Sequence, residues 1–371
     1  HARGFESARV ERSALGSNEL DYRHLQQPKV SILLTVMDDL LKMKLCLALL
    51  LENAAYEDYE ILFLYQGGFS PSVEQWLSDV DHVSDELMRV VRLPVNVSLE
   101  QARNAGALQA LGEFLIFMDP EVNVLGRDWV QRLLNHGLRP EVGAVGPKIV
   151  KLDGTVYSAG LHLGLKGPAG TAFSNIAADD TGYLLRLQVD QNYSALSGKC
   201  LMVRRESFMS VGGFDESLQM AIWADVDLCL KLQQAGFLNV WTPHAKVMFT
   251  DDKETRFCAE SNAAVYAKWL PVISNDPVQS PNVSLRGKGF ELEMDLASSW
   301  QPTNARPLPV VMVVSPVPGT PNPSKARERF DALKAAQIVD GIVVMSHPSL
   351  PELYRYAPDV LVLQYPLSDQ A

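Results

Sequence analysis

Two short acidic motifs are the places where residue type and spacing suggest chemistry. The first is Asp119-Pro120-Glu121, which directly follows the wholly apolar run Phe114–Met118. Such a run reads as a buried strand. Residues two apart in extended chain point to the same side, so Asp119 and Glu121 face one way. Two hard oxygen ligands placed like this suit Mg2+ or Mn2+, and such an ion would bridge a nucleotide diphosphate. Two ordinary acids in a solvated loop are the alternative. The second motif is Asp225-Val226-Asp227, which opens the amphipathic segment Asp225–Ala235 closed by Gly236. Both acids fall in the first helical turn, where the helix dipole favours a carboxylate and would keep it ionised. A plain helix cap is the other common use of aspartate there.

The elements that must position these acids follow from the hydrophobic pattern. Apolar, β-rich runs at Val30–Val36, Tyr59–Tyr65, Met88–Leu93 and Phe114–Met118 alternate with helical spacing at Leu40–Glu52, Ser70–Ser78 and Leu99–Leu111. A β-α-β-α-β-α-β order predicts a mainly parallel sheet with helices on both faces. In such sheets ligands bind beyond the carboxyl ends of the strands. The segments to inspect are therefore Met37–Asp39, Tyr65–Gly68 and Asp119–Glu121. Further on, the pattern predicts a helix at Trp129–Asn135 and strands at Val142–Val150 and Ala195–Arg204. Two short strands are expected at Asn239–Trp241 and Ala245–Phe249, and a mobile loop at Gly164–Asp180. Residues 1–27 read as a tail or short helix, 28–270 as the main domain and 271–308 as a linker. Residues 309–371 read as a partial second α/β domain.

Composition narrows the class. The chain has 371 residues, 47% of them hydrophobic, and a net charge of −11. That balance suits a globular protein of about two domains and argues against a nucleic-acid partner or docking on anionic lipid. The four cysteines, Cys46, Cys200, Cys229 and Cys258, form no C-x-x-C pair, which argues against a zinc or redox motif and suits reduced, buried thiols. No apolar run approaches the length of about 20 residues needed for a transmembrane helix. The N-x-S triplets at Asn96, Asn192 and Asn282 read as chance matches.

Taken together, the segments Gln101–Val122 and Ser197–Phe237 resemble the GT-A inverting glycosyltransferases of the large family that includes bacterial O-antigen and rhamnosyl transferases. That family shows V-S-I-x-x-P-V-Y-N, then A-R-N-x-G, a D-x-D strand end, G-G-F-D-E and an E-D-x-D-L-C-L-R helix. The counterparts here are Val30–Asp38, Ala102–Gly106, Asp119–Glu121, Gly212–Glu216 and Asp225–Lys231. The resemblance covers about residues 28–270, and residues 309–371 look like the opening of a second, GT-B-like glycosyltransferase domain in the same polypeptide. It implies a GT-A fold, a mixed, mainly parallel sheet with helices on both faces, plus a partial Rossmann-like α/β unit at the C-terminus.

The resemblance also implies roles. Asp119 and Glu121 would hold a divalent metal, Mn or Mg. Thr35, Met37, Asp38, Gln66, Arg103 and Asp119 would bind a nucleotide-diphosphate sugar. Asp225 would take the proton from the hydroxyl of a glycan acceptor. Trp223 would stack on an acceptor sugar, with core packing its alternative. Four positions depart from the family pattern. Thr35-Val36-Met37-Asp38 replaces P-V-Y-N, Tyr65-Gln66-Gly67-Gly68 replaces D-D-G-S, Ala224 replaces the first acid of E-D, and Phe249 stands where a metal-ligand His is usual. The expected function is an inverting hexosyltransferase of bacterial surface-polysaccharide biosynthesis, cytoplasmic or peripheral at the inner membrane. A catalytically degenerate GT-A scaffold or binding module is the alternative. A nucleotidyltransferase is a third reading, and it would need a Gly-rich phosphate loop that Met37–Lys44 lacks.

Overall fold

Apolar runs without alternation become central strands, because helices cover both faces and neither side chain set meets water. A computed structural model describes residues 7–12, 16–83, 87–251, 259–292, 308–314, 325–344 and 348–363. In chain order the first elements are β1 (Arg9–Arg12), β2 (Asn18–Asp21), β3 (Val30–Thr35), α1 (Leu40–Glu52), β4 (Tyr59–Tyr65), α2 (Pro71–Val83), β5 (Met88–Arg92), α3 (Leu99–Gln109) and β6 (Phe114–Met118). Then come β7 (Val122–Leu125), α4 (Trp129–Gly137), β8 (Val142–Val150), β9 (Val156–Ser158), β10 (His162–Leu163), β11 (Ala169–Gly170) and β12 (Gln191–Tyr193). The last of this series are β13 (Cys200–Arg204), α5 (Arg205–Ser210), α6 (Ala224–Gln234), β14 (Leu238–Phe249) and α7 (Ala259–Ser274).

The main sheet runs β12-β14-β8-β13-β6-β3-β4-β5, with β7 on β14 and β9 on β8. Strands β6, β3, β4 and β5 are mutually parallel, as are β8 and β14. Strand β13 runs against both β6 and β8. The fold is thus mixed α/β around a mostly parallel sheet. On one face, Ile32, Leu34, Phe63, Ile116 and Met118 share a core with Met43 and Leu50 of α1 and Val73 and Leu77 of α2. On the other, α3 lies close. A Cβ on Gly106 would sit 2.5 Å from Leu64 Cδ2 and 2.9 Å from Leu33 Cδ2, so only glycine lets the helix seat at this depth. Helix α3 starts at a capping box in which Ser98 and Gln101 exchange side-chain-to-backbone bonds. None of the helices among the described residues is long and apolar enough to cross a membrane.

Glu60 anchors the sheet edge where β3 and β4 begin. It is fully buried. Its Oε1 accepts from Ser31 Oγ at 2.6 Å and Leu111 N–H at 2.7 Å, and Oε2 accepts from Arg89 Nη2 at 2.7 Å. Burial alone would raise the carboxyl pKa, but the bonds from Ser31, Leu111 and Arg89 outweigh it and hold the group below its ordinary value. A lowered folded-state pKa contributes stability that is present above the unfolded value and lost as pH falls through the folded one. Glu60→Ala strands these buried donors, so stability should fall by on the order of 3 kcal/mol. Chemical denaturation at neutral pH reads this, and the gap from wild type should narrow in acid. A loss below about 0.5 kcal/mol, the level of an ordinary surface change, would contradict this role.

Several elements differ from the sequence expectation. The N-terminal segment contains two antiparallel paired strands, with Arg9 opposite Asp21 and Arg12 opposite Asn18, rather than a short helix. Asn135 of α4 holds it through Tyr22 N–H at 2.9 Å and Leu20 O at 2.8 Å. The two strands expected around Pro243 are one, β14, with a register shift between Thr242 and Lys246 that accommodates the proline. The strand expected from Ala195 starts at Cys200, and part of the expected loop 164–180 is paired as β11 on β10. Cys46, Cys200 and Cys229 are free and buried; Cys258 lies outside the described residues.

Residues Leu163–Gly170 and Tyr266–Ala371 cluster as a second compact unit. Its strands β15 (Val310–Val314), β16 (Asp340–Val344) and β17 (Val360–Leu363) form a three-stranded parallel sheet in the order β16-β15-β17. Helices α8 (Lys325–Ala335) and α9 (Leu350–Tyr356) belong to the same unit. Met312, Val314 and Tyr356 form its small core. Of the expected linker 271–308, residues 271–292 cluster with this unit, and 293–307 lie outside the described residues.

Candidate active site

The parallel register brings three strand ends to one edge. Thr35 pairs with Leu64, and Leu34 with Met118. The chain therefore leaves the sheet side by side at Val36–Asp39, after Tyr65, and at Asp119–Glu121. Strand β13 runs the other way, so its first residue, Cys200, lies opposite Met118. The ladder continues one step further, with Asp119 N–H donating to Lys199 O at 2.9 Å. Strand β14 ends at the same edge, with Phe249 opposite Val122 and Thr250 N–H donating to Glu121 O at 3.0 Å.

The two acidic motifs meet at the start of β13. Asp119 Oδ2 takes the Lys199 ammonium at 2.9 Å, and Oδ1 takes Glu121 N–H at 3.1 Å. Asp225 Oδ2 takes Gly198 N–H at 2.8 Å, and Oδ1 takes Val226 N–H at 2.8 Å. Gly198 is also where Arg103 arrives, its Nη2 donating to Gly198 O at 3.2 Å while the guanidinium sits 5.5 Å from the Phe214 ring centroid. Lys42, in the first turn of α1, donates to Glu121 Oε1 at 2.6 Å. Asp39 caps that helix by accepting Lys42 N–H at 3.1 Å.

Desolvation is the largest influence on the Asp225 carboxyl. Desolvation pushes its carboxyl pKa up, and the N–H groups of Gly198 and Val226 and the Arg103 guanidinium oppose this without cancelling it. Removal from water thus outweighs the local dipoles in setting the direction of the shift, and the raised value makes this carboxylate a better proton acceptor than an ordinary aspartate. Asp227 is fully buried and pairs with Lys231 at 3.3 Å.

The A-R-N and G-G-F-D-E motifs are two halves of one contact. Asn104 Nδ2 donates to Phe214 O at 3.0 Å and Glu216 Oε1 at 2.8 Å, while its Oδ1 accepts Phe214 N–H at 2.9 Å. Gly213 has φ +65°, and a Cβ there would lie 2.6 Å from Asn104 Oδ1, so both backbone conformation and space require glycine.

The candidates from the ends of β3 and β4 line the same edge. Thr35 Oγ1 is buried without a hydrogen-bond partner. Met37 is partly buried against the main core, and Gln66 is partly exposed. Asp38 is exposed and accepts Ser70 N–H at 2.9 Å, and its hydrogen bonds to Ser70 hold its carboxyl below the usual value. Trp223 differs. It is 4% exposed, and its Nε1–H donates to Asn262 Oδ1 at 3.1 Å, so core packing describes the ring and no open face is left for a sugar. Sequence reasoning passed over Gly198, Lys199 and Lys42. For Gly198 and Lys199 the signal is an S-G-K turn entering a strand that lies opposite the D-x-E strand end, legible only once the two strands are known to pair; Lys42 has no such local signal.

The expected metal pair, Asp119 and Glu121, meets a different set of partners. Each carboxylate already bonds an ammonium group. The Lys199 nitrogen also lies 4.5 Å from the centroid of Phe249, a ring with no lone pair to give a metal. Among the described residues there is no group of three His, Cys, Asp or Glu that could hold a metal ion. As arranged, the donor set does not fit a metal held by the protein alone. A surface cavity of ≈ 660 Å³, lined by Glu113, Leu138, Arg204 and Ser207 among others, lies at the opposite sheet edge, and no candidate residue lines it.

Residues 31–212 match the model of Glycosyl transferase family 2. The chain is 32% identical over 292 residues to the uncharacterized protein y4gI of Sinorhizobium fredii, covering 75% of this chain and 32% of that protein. It is 30% identical over 299 residues to the O-antigen biosynthesis protein RfbC of Myxococcus xanthus, covering 76% of this chain and 22% of that one. Over 185 residues it is 32% identical to an N-acetylglucosaminyl-diphospho-decaprenol L-rhamnosyltransferase of Mycobacterium tuberculosis, covering 46% and 57% of the two chains. The chain thus spans a third or less of the first two relatives. Its fold is similar to that of GalNAc-T7, solved with UDP, GalNAc and Mn2+, with a TM-score of 0.53 and 16% identity over 70% of this chain and 50% of that one.

Proposed function

Starting from a glycosyl transferase family 2 domain across residues 31–212, we propose that the chain moves a sugar from a nucleotide-diphosphate donor to a glycan hydroxyl, with inversion. The reading rests on one observation. Two carboxylates from motifs about a hundred residues apart, Asp119 and Asp225, attach to the adjacent residues Lys199 and Gly198. This spacing suits a one-step displacement, with the donor diphosphate on the Asp119 side and the acceptor on the Asp225 side. Asp225 accepts the proton of the attacking hydroxyl, and its raised pKa makes it a stronger base than an ordinary aspartate. Arg103 orients Gly198 and adds positive charge. Asp38 and Gln66, at the ends of β3 and β4, are the polar groups best placed to read the nucleotide, and Thr35 and Met37 form the wall behind them.

The likeness to RfbC and to the rhamnosyltransferase favours assembly of a bacterial surface polysaccharide, in the cytoplasm or at the inner membrane face. The unit around β15 is a candidate partner domain of the GT-B type. The direct test incubates the protein with a panel of UDP-, GDP- and dTDP-sugars and lipid-linked or oligosaccharide acceptors, and follows the product's anomeric proton by NMR. Transfer with an anomeric configuration opposite to the donor's is the expected result. Retained configuration would exclude the single displacement. Nucleotide binding with no transfer or donor hydrolysis for any pair would favour the scaffold reading instead.

A further inference from the structure

We propose that the charge developing on the departing nucleoside diphosphate is met by two lysines of this chain, Lys199 and Lys42, rather than by a divalent cation on Asp119 and Glu121. The inference rests on the glycosyl-transfer reading and concerns how its leaving group is held.

The two ion pairs come from separate elements, yet they close on one tripeptide. Lys199, at the start of β13, holds Asp119 at 2.9 Å, and Lys42, in the first turn of α1, holds Glu121 at 2.6 Å. Isolated surface pairs are common and weak, but Lys199 is fixed on several sides. Its carbonyl accepts Asp119 N–H, the residue before it bonds Asp225, and its ammonium rests on the Phe249 ring. That ring steadies a cation through its π-face and supplies no metal ligand. Arg103 adds a third cation; it is buried, and its Nε has no hydrogen-bond partner.

In the free site three cations match three carboxylates, so what the lysines offer a diphosphate is hydrogen-bond donors. Lys199 and Lys42 neutralise Asp119 and Glu121, and Arg103 faces Asp225. Each ammonium has three N–H donors, so one bond to a carboxylate leaves two for phosphate oxygens. During transfer the acceptor oxygen bonds to the anomeric carbon while the bond from that carbon to the β-phosphate oxygen breaks. The electron pair of the broken bond stays on the phosphate, and the acceptor proton goes to Asp225. The lysines donate hydrogen bonds to the new phosphate charge and lose no proton. Asp119 and Glu121 then act as positioning residues that aim the two ammonium groups.

Calorimetric binding of UDP, GDP and dTDP, each with excess EDTA and each with MnCl2, tests this in the wild type, Lys199→Met, Lys199→Arg and Lys42→Met. At least one nucleotide should bind the wild type with the same affinity in both conditions. Lys199→Met and Lys42→Met should each weaken it about tenfold or more, as expected for loss of a charge-assisted bond. Lys199→Arg should restore most of the loss, which a merely structural role for the ammonium would not require. Should Lys199→Met fail to fold, the Lys42→Met and Lys199→Arg results decide. Wild-type binding seen only with MnCl2 and removed by Asp119→Asn would overturn the lysine assignment and leave the donor reading intact. Absence of binding in both conditions for all three nucleotides would overturn both.

Discussion

Asp225→Asn should bind nucleotide as the wild type does and lose transfer by about 10³-fold, within the range for removal of a general base. The amide keeps the shape of the side chain, and its carbonyl oxygen can still accept Gly198 N–H, now at 2.8 Å from the carboxylate. What it cannot do is take a proton at neutral pH. Loss of kcat with unchanged nucleotide affinity is the pattern of an interaction made only in the transition state. The same residue sets the acid limb of the pH profile. Burial raises its carboxyl pKa, and the base must be deprotonated to work. Activity should therefore rise with pH through a value above the usual range near about 4 for aspartate, and the limb should vanish in the variant's residual rate. Wild-type transfer by Asp225→Asn would remove the residue from the chemistry.

Gly198→Ala should cost about 10²-fold in transfer, the scale expected from displacing a catalytic group by roughly 1 Å. An alanine Cβ there would lie 2.9 Å from Asp225 Cβ and 3.3 Å from Asp225 Oδ2. The nearer atom belongs to the stem of the side chain, so either the turn at Gly198 or the start of α6 must shift. The Arg103 and Asp225 bonds to Gly198 are disturbed together. Nucleotide affinity, set on the Lys199 side, should fall much less, and stability should drop by about 1–3 kcal/mol, the usual cost of overpacking. An alanine variant with full activity would mean that the Asp225 position is not critical.

The parts of the fold legible in the sequence were those where burial acts on both faces. Val30–Thr35, Tyr59–Tyr65 and Phe114–Met118 read as strands because no residue in them has to meet water. The four-residue strands at Arg9 and Asn18 were not legible, since β1 is exposed throughout and carries no periodic apolar signal. Pro243 made one long strand look like two. Asp119 and Asp225 were found because strand ends and helix starts can be read locally. Lys199 escaped because its meaning depends on β13 running antiparallel to β6, a pairing across about eighty residues. Trp223 could not be assigned from sequence, because an aromatic beside an acid looks alike whether it faces a sugar or, as here, Asn262.

The reversal of β13 within the sheet also divides the site in a way useful for engineering. The segments after β3 and β4, with Met37, Asp38 and Gln66, belong to the parallel half and meet the Asp119–Glu121 motif along the shared sheet edge and through Lys42 of α1. Gly198 and Lys199 hold both acids on adjacent residues of the turn that leads into the antiparallel strand. If the proposed nucleotide contacts hold, loops grafted after β3 and β4 from a relative with another nucleotide preference should change donor choice while the spacing between Asp119 and Asp225 stays constant. The turn that holds the acids would then be the fixed chassis, and the segments after the parallel strands the interchangeable fittings.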